Sequence, residues 1–105
     1  MAYTDLREYL AVLEEHGKLH HVTAEVDKDW EIAALCRRVF QKIPEKKRPV
    51  LIFDRVKGFD IPLLVGSLGA SPEVYSMALQ CVVEEIGRRW EEAQLHPIKP
   101  VRVSN

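Results

Sequence analysis

Nothing in this sequence is concentrated. Only two of its 105 residues are cysteine, Cys36 and Cys81, far apart and flanked by apolar helical patterns. They read as free buried thiols, since a disulfide would need an oxidising compartment and nothing in the sequence suggests one. No apolar run approaches the roughly 20 residues of a membrane-spanning helix. Met1-Ala2-Tyr3-Thr4-Asp5 meets charge at once and has no signal-peptide core, so the expected location is the cytoplasm. Neither sign of charge dominates: 15 Lys and Arg against 16 Asp and Glu leave a formal net charge of -1. That balance gives no drive toward nucleic acid or an anionic membrane. There is no low-complexity tract and no internal repeat.

What is present is ordinary for one soluble domain, with 47% hydrophobic and 30% charged residues. Leu6, Tyr9, Leu10 and Leu13 keep helical spacing, with Thr4 or Asp5 as cap, Glu8 at capping-box distance from Asp5, and Gly17 as terminator. A first helix is expected from about Asp5 to His16. Leu19 to Val26 alternates imperfectly and reads as a strand. Asp27 or Asp29 should cap a second helix whose apolar face is Ile32, Leu35, Cys36, Val39, Phe40 and Ile43, and Pro44 stops it. Val50-Leu51-Ile52-Phe53 is a continuous apolar run, as in a strand buried on both faces. Asp54 to Asp60 is a turn, and Ile61 to Val65 a further strand.

Ser71-Pro72-Glu73 opens the last helical region: a cap, proline at the first position and an acid in the first turn. Val74, Tyr75, Ala78, Leu79, Val82, Ile86, Trp90 and Ala93 run through it, as one helix or as two with a break near Gln80-Cys81. Glu84 with Arg88, and Glu85 with Arg89, have i, i+4 spacing. Pro97 and Pro100 end it, and Val101-Arg102-Val103 begins something extended. The order is α-β-α-β-β-α(-α), a small sheet covered by helices: an α/β fold, with α+β as the alternative. Leu10, Leu13, Ile32, Leu35, Val39, Val82 and Ile86 should cover the sheet.

Candidate chemistry is sparse. His20 and His21 are adjacent and point to opposite strand faces; His16 ends a helix and His96 precedes Pro97. None has the spacing of a zinc site, and all four read as surface residues. Gly66-Ser67-Leu68-Gly69 lies between a strand and a helix, where phosphate can bind. It lacks the Lys-Ser/Thr of a P-loop and the third glycine of a dinucleotide site, so a plain connecting turn is expected. Lys42, Lys46, Lys47 and Arg48 read as a solvated loop. Glu14-Glu15, Glu84-Glu85 and Glu91-Glu92 lie on polar helix sides, away from any pocket that would raise a pKa. Trp30 and Trp90 read as packing residues. From the residues alone, no catalytic, cofactor-binding or metal-binding residue is assigned.

Taken in order, several segments resemble the opening of the UbiD-like decarboxylases, the polyprenyl-hydroxybenzoate carboxy-lyase family. They are Asp5-Leu-Arg-Glu-Tyr-Leu10, Leu13-Glu-Glu-His-Gly-Lys-Leu19, Glu25-Val-Asp-Lys-Asp-Trp-Glu-Ile32, Pro49-Val-Leu-Ile-Phe53, Val56-Lys-Gly-Phe-Asp-Ile-Pro-Leu63, and Gly66-Ser-Leu-Gly-Ala-Ser71. The stretch from Pro97 to Val103 is similar to the family's exit from this domain. Gln80-Cys81-Val82 departs mildly from the family's clearer helix break. The ordered set carries the resemblance, since no single segment is specific.

The resemblance implies an N-terminal α/β domain over residues 1–100, with 101–105 beginning the link to a flavin-binding split β-barrel, which a C-terminal oligomerisation domain follows. It implies, for the parent enzyme, prenylated FMN held with a divalent metal, usually manganese, and often potassium. The parent is expected to be a homo-oligomer that reversibly decarboxylates aromatic, heteroaromatic or α,β-unsaturated acids without net oxidation, the cofactor carrying the carbanion-like chemistry. The family's Glu-Arg-Glu/Asp network and its Asn/His/Glu metal ligands belong to the barrel, so none is carried onto this sequence. The chain is then expected to be a truncated or proteolysed piece, inactive alone, whose partners are the barrel and C-terminal domains. The alternatives are a stand-alone interaction or regulatory module and the small subunit of a split decarboxylase.

Overall fold

The computed structural model describes residues 2–104, and its centre is the short strand β2, Val50–Phe53. Strand β1, Leu19–Val22, pairs with it in parallel, with Leu19 opposite Val50 and Val22 opposite Phe53. Strand β3, Leu63–Val65, pairs with it antiparallel, with Leu51 opposite Val65 and Phe53 opposite Leu63. The sheet order is therefore β1-β2-β3. The parallel pair needs a crossover, which helix α2, Glu31–Lys42, supplies.

Strand period sends alternate β2 side chains to opposite faces, and each face has its own core. Val50 packs with Tyr9 and Leu13 of helix α1, Leu6–Glu15, and with Ala70 and Val74 at the start of helix α3, Pro72–Leu79. Leu51 and Phe53 pack on the other side with Ile32, Val26 and Val56, with Cys36 and Val39 of α2 closing over them. The result is a three-layer α+β domain with α1 and α3 on one face and α2 on the other. The expectation that Val50–Phe53 is an internal strand holds: Val50, Leu51 and Phe53 are buried.

Local chemistry explains the ends of α1. Asp5 Oδ1 accepts from the Glu8 amide at 2.9 Å, while Glu8 Oε2 accepts from the amide and hydroxyl of Thr4. At the other end Lys18 N donates to Leu13 O (2.8 Å) and Gly17 N to Glu14 O (3.0 Å), around a Gly17 with φ of 70°. Helix α3 ends in the same pattern, Cys81 N to Ser76 O and Gln80 N to Met77 O, but a glutamine holds the left-handed position with φ of 55°. That turn resolves the open alternative: two helices, with α4 running Ile86–Leu95.

Four expectations need correction. The strand read as Leu19–Val26 is interrupted: Thr23 to Glu25 face solvent and pairing resumes only at an isolated Val26–Val56 bridge. Helix α2 starts later than Asp27 or Asp29. The Asp27 carbonyl accepts from the Glu31 amide and its carboxylate from the Asp29 amide, so Asp27 builds the preceding turn and Trp30 is the cap. Leu35 lies at the edge of the α2 stripe and is 38% exposed, so it is not core. Val82 and Ile86 do not cover the sheet, because the left-handed Gln80 turns the chain away; α4 buries no residue and Val82 is exposed.

Candidate functional site

The strand-to-helix turn at Gly66–Gly69, expected to be a plain connection, has its carbonyls tied into the fold. The Gly66 carbonyl accepts from Ala70 N (3.1 Å), the Ser67 carbonyl accepts from the Tyr9 hydroxyl (2.6 Å), and the Ala70 carbonyl accepts from Arg48 Nη1 (3.3 Å). Ser71 Oγ accepts from the Val74 amide, in the first turn of α3. Gly66 has a φ of 82°, which favours glycine; a Cβ there would make only ordinary contacts with Phe40 Cζ at 3.4 Å and Ala70 Cβ at 3.5 Å. This turn fits a flavin phosphate poorly: the surface depression beside Leu68, Gly69 and Ser71 is lined also by the carboxylate of Glu45 and by no cationic side chain.

Arg48, read as part of a solvated basic loop, is instead a brace. Nη2 donates to the carbonyls of Phe40 (3.0 Å) and Ile43 (3.3 Å) at the end of α2, Nη1 reaches Ala70, and the guanidinium lies 5.2 Å from the Phe40 ring centroid. A cation over otherwise unpaired terminal carbonyls is favourable. No local signal marks Arg48, because its partners are scattered through the sequence. Lys46 and Lys47 stay exposed on the short 3₁₀ turn Glu45–Lys47.

The histidines are dispersed. His16 caps α1 with Nδ1 2.9 Å from Val12 O, and His20 and His96 are exposed. His21 lies between two carboxylates: Nδ1 is 3.0 Å from Asp54 Oδ2 and Nε2 is 3.2 Å from Glu14 Oε1. The hydrogen bond to Asp54 is the first cause that raises its pKa above the usual histidine value. Among the described residues no group of three or more His, Cys, Asp or Glu is arranged to hold a metal. Cys36 and Cys81 are free, and burial pushes the Cys36 thiol up. The expected Glu84–Arg88 and Glu85–Arg89 pairs do not form, since α4 begins after both acids. Arg88 instead pairs with Glu85 at 2.9 Å, and Arg89 donates to the Leu79 carbonyl at 2.7 Å.

The surface carries exposed apolar side chains in two sets. Phe59, Ile61, Pro62, Val56 and Leu63 line a shallow groove of about 220 Å³, with Lys28 Nζ 5.9 Å from the Phe59 ring centroid. Ile61 is 73% exposed, and Trp30, expected to pack, is 79% exposed. A second apolar set follows α3: Val82, Val83, Trp90 and Leu95, then Ile98, Val101 and Val103. Trp90 is half-tethered, its Nε1 donating to the Tyr75 hydroxyl at 2.6 Å. No helix among the described residues is long and apolar enough to cross a membrane.

Comparisons with known proteins agree on one family. The model of the 3-octaprenyl-4-hydroxybenzoate carboxy-lyase N-terminal domain matches residues 10–94. An uncharacterized protein of Synechocystis sp. is 32% identical over 103 residues, covering 95% of this chain and 20% of its own. The evolved dimeric form of the UbiD-class enzyme HmfF from Pelotomaculum thermopropionicum, solved in complex with prFMN, superposes with a TM-score of 0.77 at 35% identity. It matches 92% of this chain and 21% of its own. Vanillic acid decarboxylase of Sedimentibacter hydroxybenzoicus, in its closed form, gives a TM-score of 0.73 at 28% identity over 92% of this chain and 21% of its own. The chain thus spans about a fifth of the length of these relatives.

Proposed function

This chain belongs to the family of UbiD-type carboxy-lyase N-terminal domains, and from that premise we propose that it is the scaffold domain of a prenylated-FMN decarboxylase, inactive by itself. The parent enzyme acts in the cytoplasm as a homo-oligomer, reversibly removing carbon dioxide from an aromatic, heteroaromatic or α,β-unsaturated acid. The observation that carries the reading is the match over 92% of this chain to only 21% of a prFMN-bound enzyme. Prenylated FMN, with manganese and potassium, supplies the electron sink when bound in the parent. The residues described here do not fit that group, since the depression at the Gly66–Gly69 turn offers a phosphate the Glu45 carboxylate and no cationic side chain. Residues 1–100 then form the domain, and 101–105 begin the link to the barrel.

The role left to this chain is mechanical. A rigid sheet with a core on both faces presents apolar side chains outward, and large exposed apolar surface marks an interaction site. The groove at Phe59 and Ile61 and the exposed face of α4 are the surfaces against which the barrel would pack. A stand-alone module would need these same surfaces for some other partner.

The test is to titrate the purified chain with reconstituted prenylated FMN while following flavin absorbance and carbon dioxide release. Neither stoichiometric binding nor turnover is expected. Stoichiometric flavin binding, or turnover abolished by a substitution within the chain, would overturn the scaffold reading.

A further inference from the structure

The geometry points to a proton-operated clasp at His21, which ties the last turn of α1 to the end of the central strand. The ring stands on β1 between Glu14, one residue before the end of α1, and Asp54, the residue after β2. Both ring nitrogens face a carboxylate oxygen, at 3.0 Å to Asp54 Oδ2 and 3.2 Å to Glu14 Oε1. A carboxylate only accepts, and a neutral imidazole has a single N–H. Both contacts are therefore hydrogen bonds only when the ring carries two protons. With one proton gone, one carboxylate loses its donor.

The partners are unequal, which sets the order of release. Asp54 brings both oxygens within 3.2 Å of Nδ1, whereas Glu14 offers one and is the more exposed of the two. The neutral ring keeps its proton on Nδ1 for Asp54, and Glu14 is let go. Other charges near this edge are committed elsewhere: Lys18 pairs with Glu73 at 2.9 Å and Arg55 with Glu25 at 3.6 Å, while His20 points to the opposite face. Deprotonation thus releases the Glu14 side chain in the last turn of α1, while the N-cap, the Tyr9 anchor, the Leu13 packing and the Gly17 terminator keep the helix itself seated. The clasp needs no partner domain and stands apart from the decarboxylase reading.

The experiment is an NMR pH titration of the full chain, reading His21 ring shifts and the backbone amides of residues 14 to 17. A His16→Asn background removes the other imidazole near those amides. The His21 midpoint is expected above the ordinary 6.5, lower in Glu14→Gln and lower still in Asp54→Asn. The amides should move with the His21 midpoint in the parent background and stay flat through it in Glu14→Gln. Both substitutions are on partly exposed, isosteric positions, and retained amide dispersion checks the fold. A midpoint indifferent to both substitutions, or amides that ignore the His21 titration, would overturn the clasp.

Discussion

The Tyr9 hydroxyl donates to the Ser67 carbonyl at 2.6 Å, so the first helix holds the turn that feeds the third, 58 residues away in sequence. The same hydroxyl lies 3.2 Å from the Val74 carbonyl. Burial pushes this phenol up to about 12, so it remains a donor at any physiological pH. Tyr9→Phe keeps the ring in its core and removes only the donor. The expected cost is about 1–2 kcal/mol, that of leaving a buried carbonyl without its partner. Urea midpoints at constant m measure it.

Core truncation should separate two leucines that look alike in the sequence. Leu13 is fully buried and Leu35 is not. Leu13→Ala should lose roughly 2–5 kcal/mol, whereas Leu35→Ala should lose less than about 1 kcal/mol. Equal losses in denaturant titrations would contradict the layer arrangement.

Arg48→Met retains the stem over Phe40 and deletes the guanidinium. Three carbonyls, of Phe40, Ile43 and Ala70, lose a donor. A loss of about 1–3 kcal/mol is expected, with amide exchange rising first at the end of α2. A neutral result would mean that water replaces the guanidinium without cost.

Gln80→Gly should stabilise. Its position in the α3 terminator is that of Gly17 in the α1 terminator, and a non-glycine residue there carries a left-handed penalty. Relief is partly offset by the greater freedom of glycine in the unfolded chain, leaving a gain of about 0.5–1 kcal/mol. A rise in Tm of a few degrees is the readout.

The pH dependence has a definite sign. The folded pKa of His21 is raised above its unfolded value of 6.5, chiefly by Asp54. Its contribution is fully present below about pH 6.5 and is lost as pH rises through the folded midpoint. The Tm difference between the parent chain and His21→Gln should therefore shrink from acid to alkaline pH. It should shrink further in high salt, because the ring is partly exposed and its pairs are screened.

Periodicity and caps made much of this fold legible. The run Val50–Phe53, the Asp5 cap, the Gly17 terminator and the Ser71-Pro72 start are local signals, and each marks its element. Leu35 and Val82 have helical spacing too, but which side of a helix meets the sheet depends on how the chain arrives there. The left-handed Gln80 redirects α4, and glutamine gives no hint of that role. Arg48 and His21 escaped for a related reason: a brace or clasp is defined by partners brought together only by folding. The family resemblance was legible in segment order, and the matched domain covers residues 10–94.

The parallel pairing of β1 with β2 also has a consequence for how the chain is made. Synthesis proceeds from the N-terminus, so Leu19 emerges long before Val50, the residue it lies opposite. Until then β1 has no strand beside it, and Leu13 has no sheet to pack on. The β2–β3 pair, by contrast, closes over a short turn and can form as soon as Val65 is available. During translation α1 and β1 must therefore wait as a loose, partly apolar leader. The domain locks late, once α3 has followed the central strand and both faces of that strand can be covered.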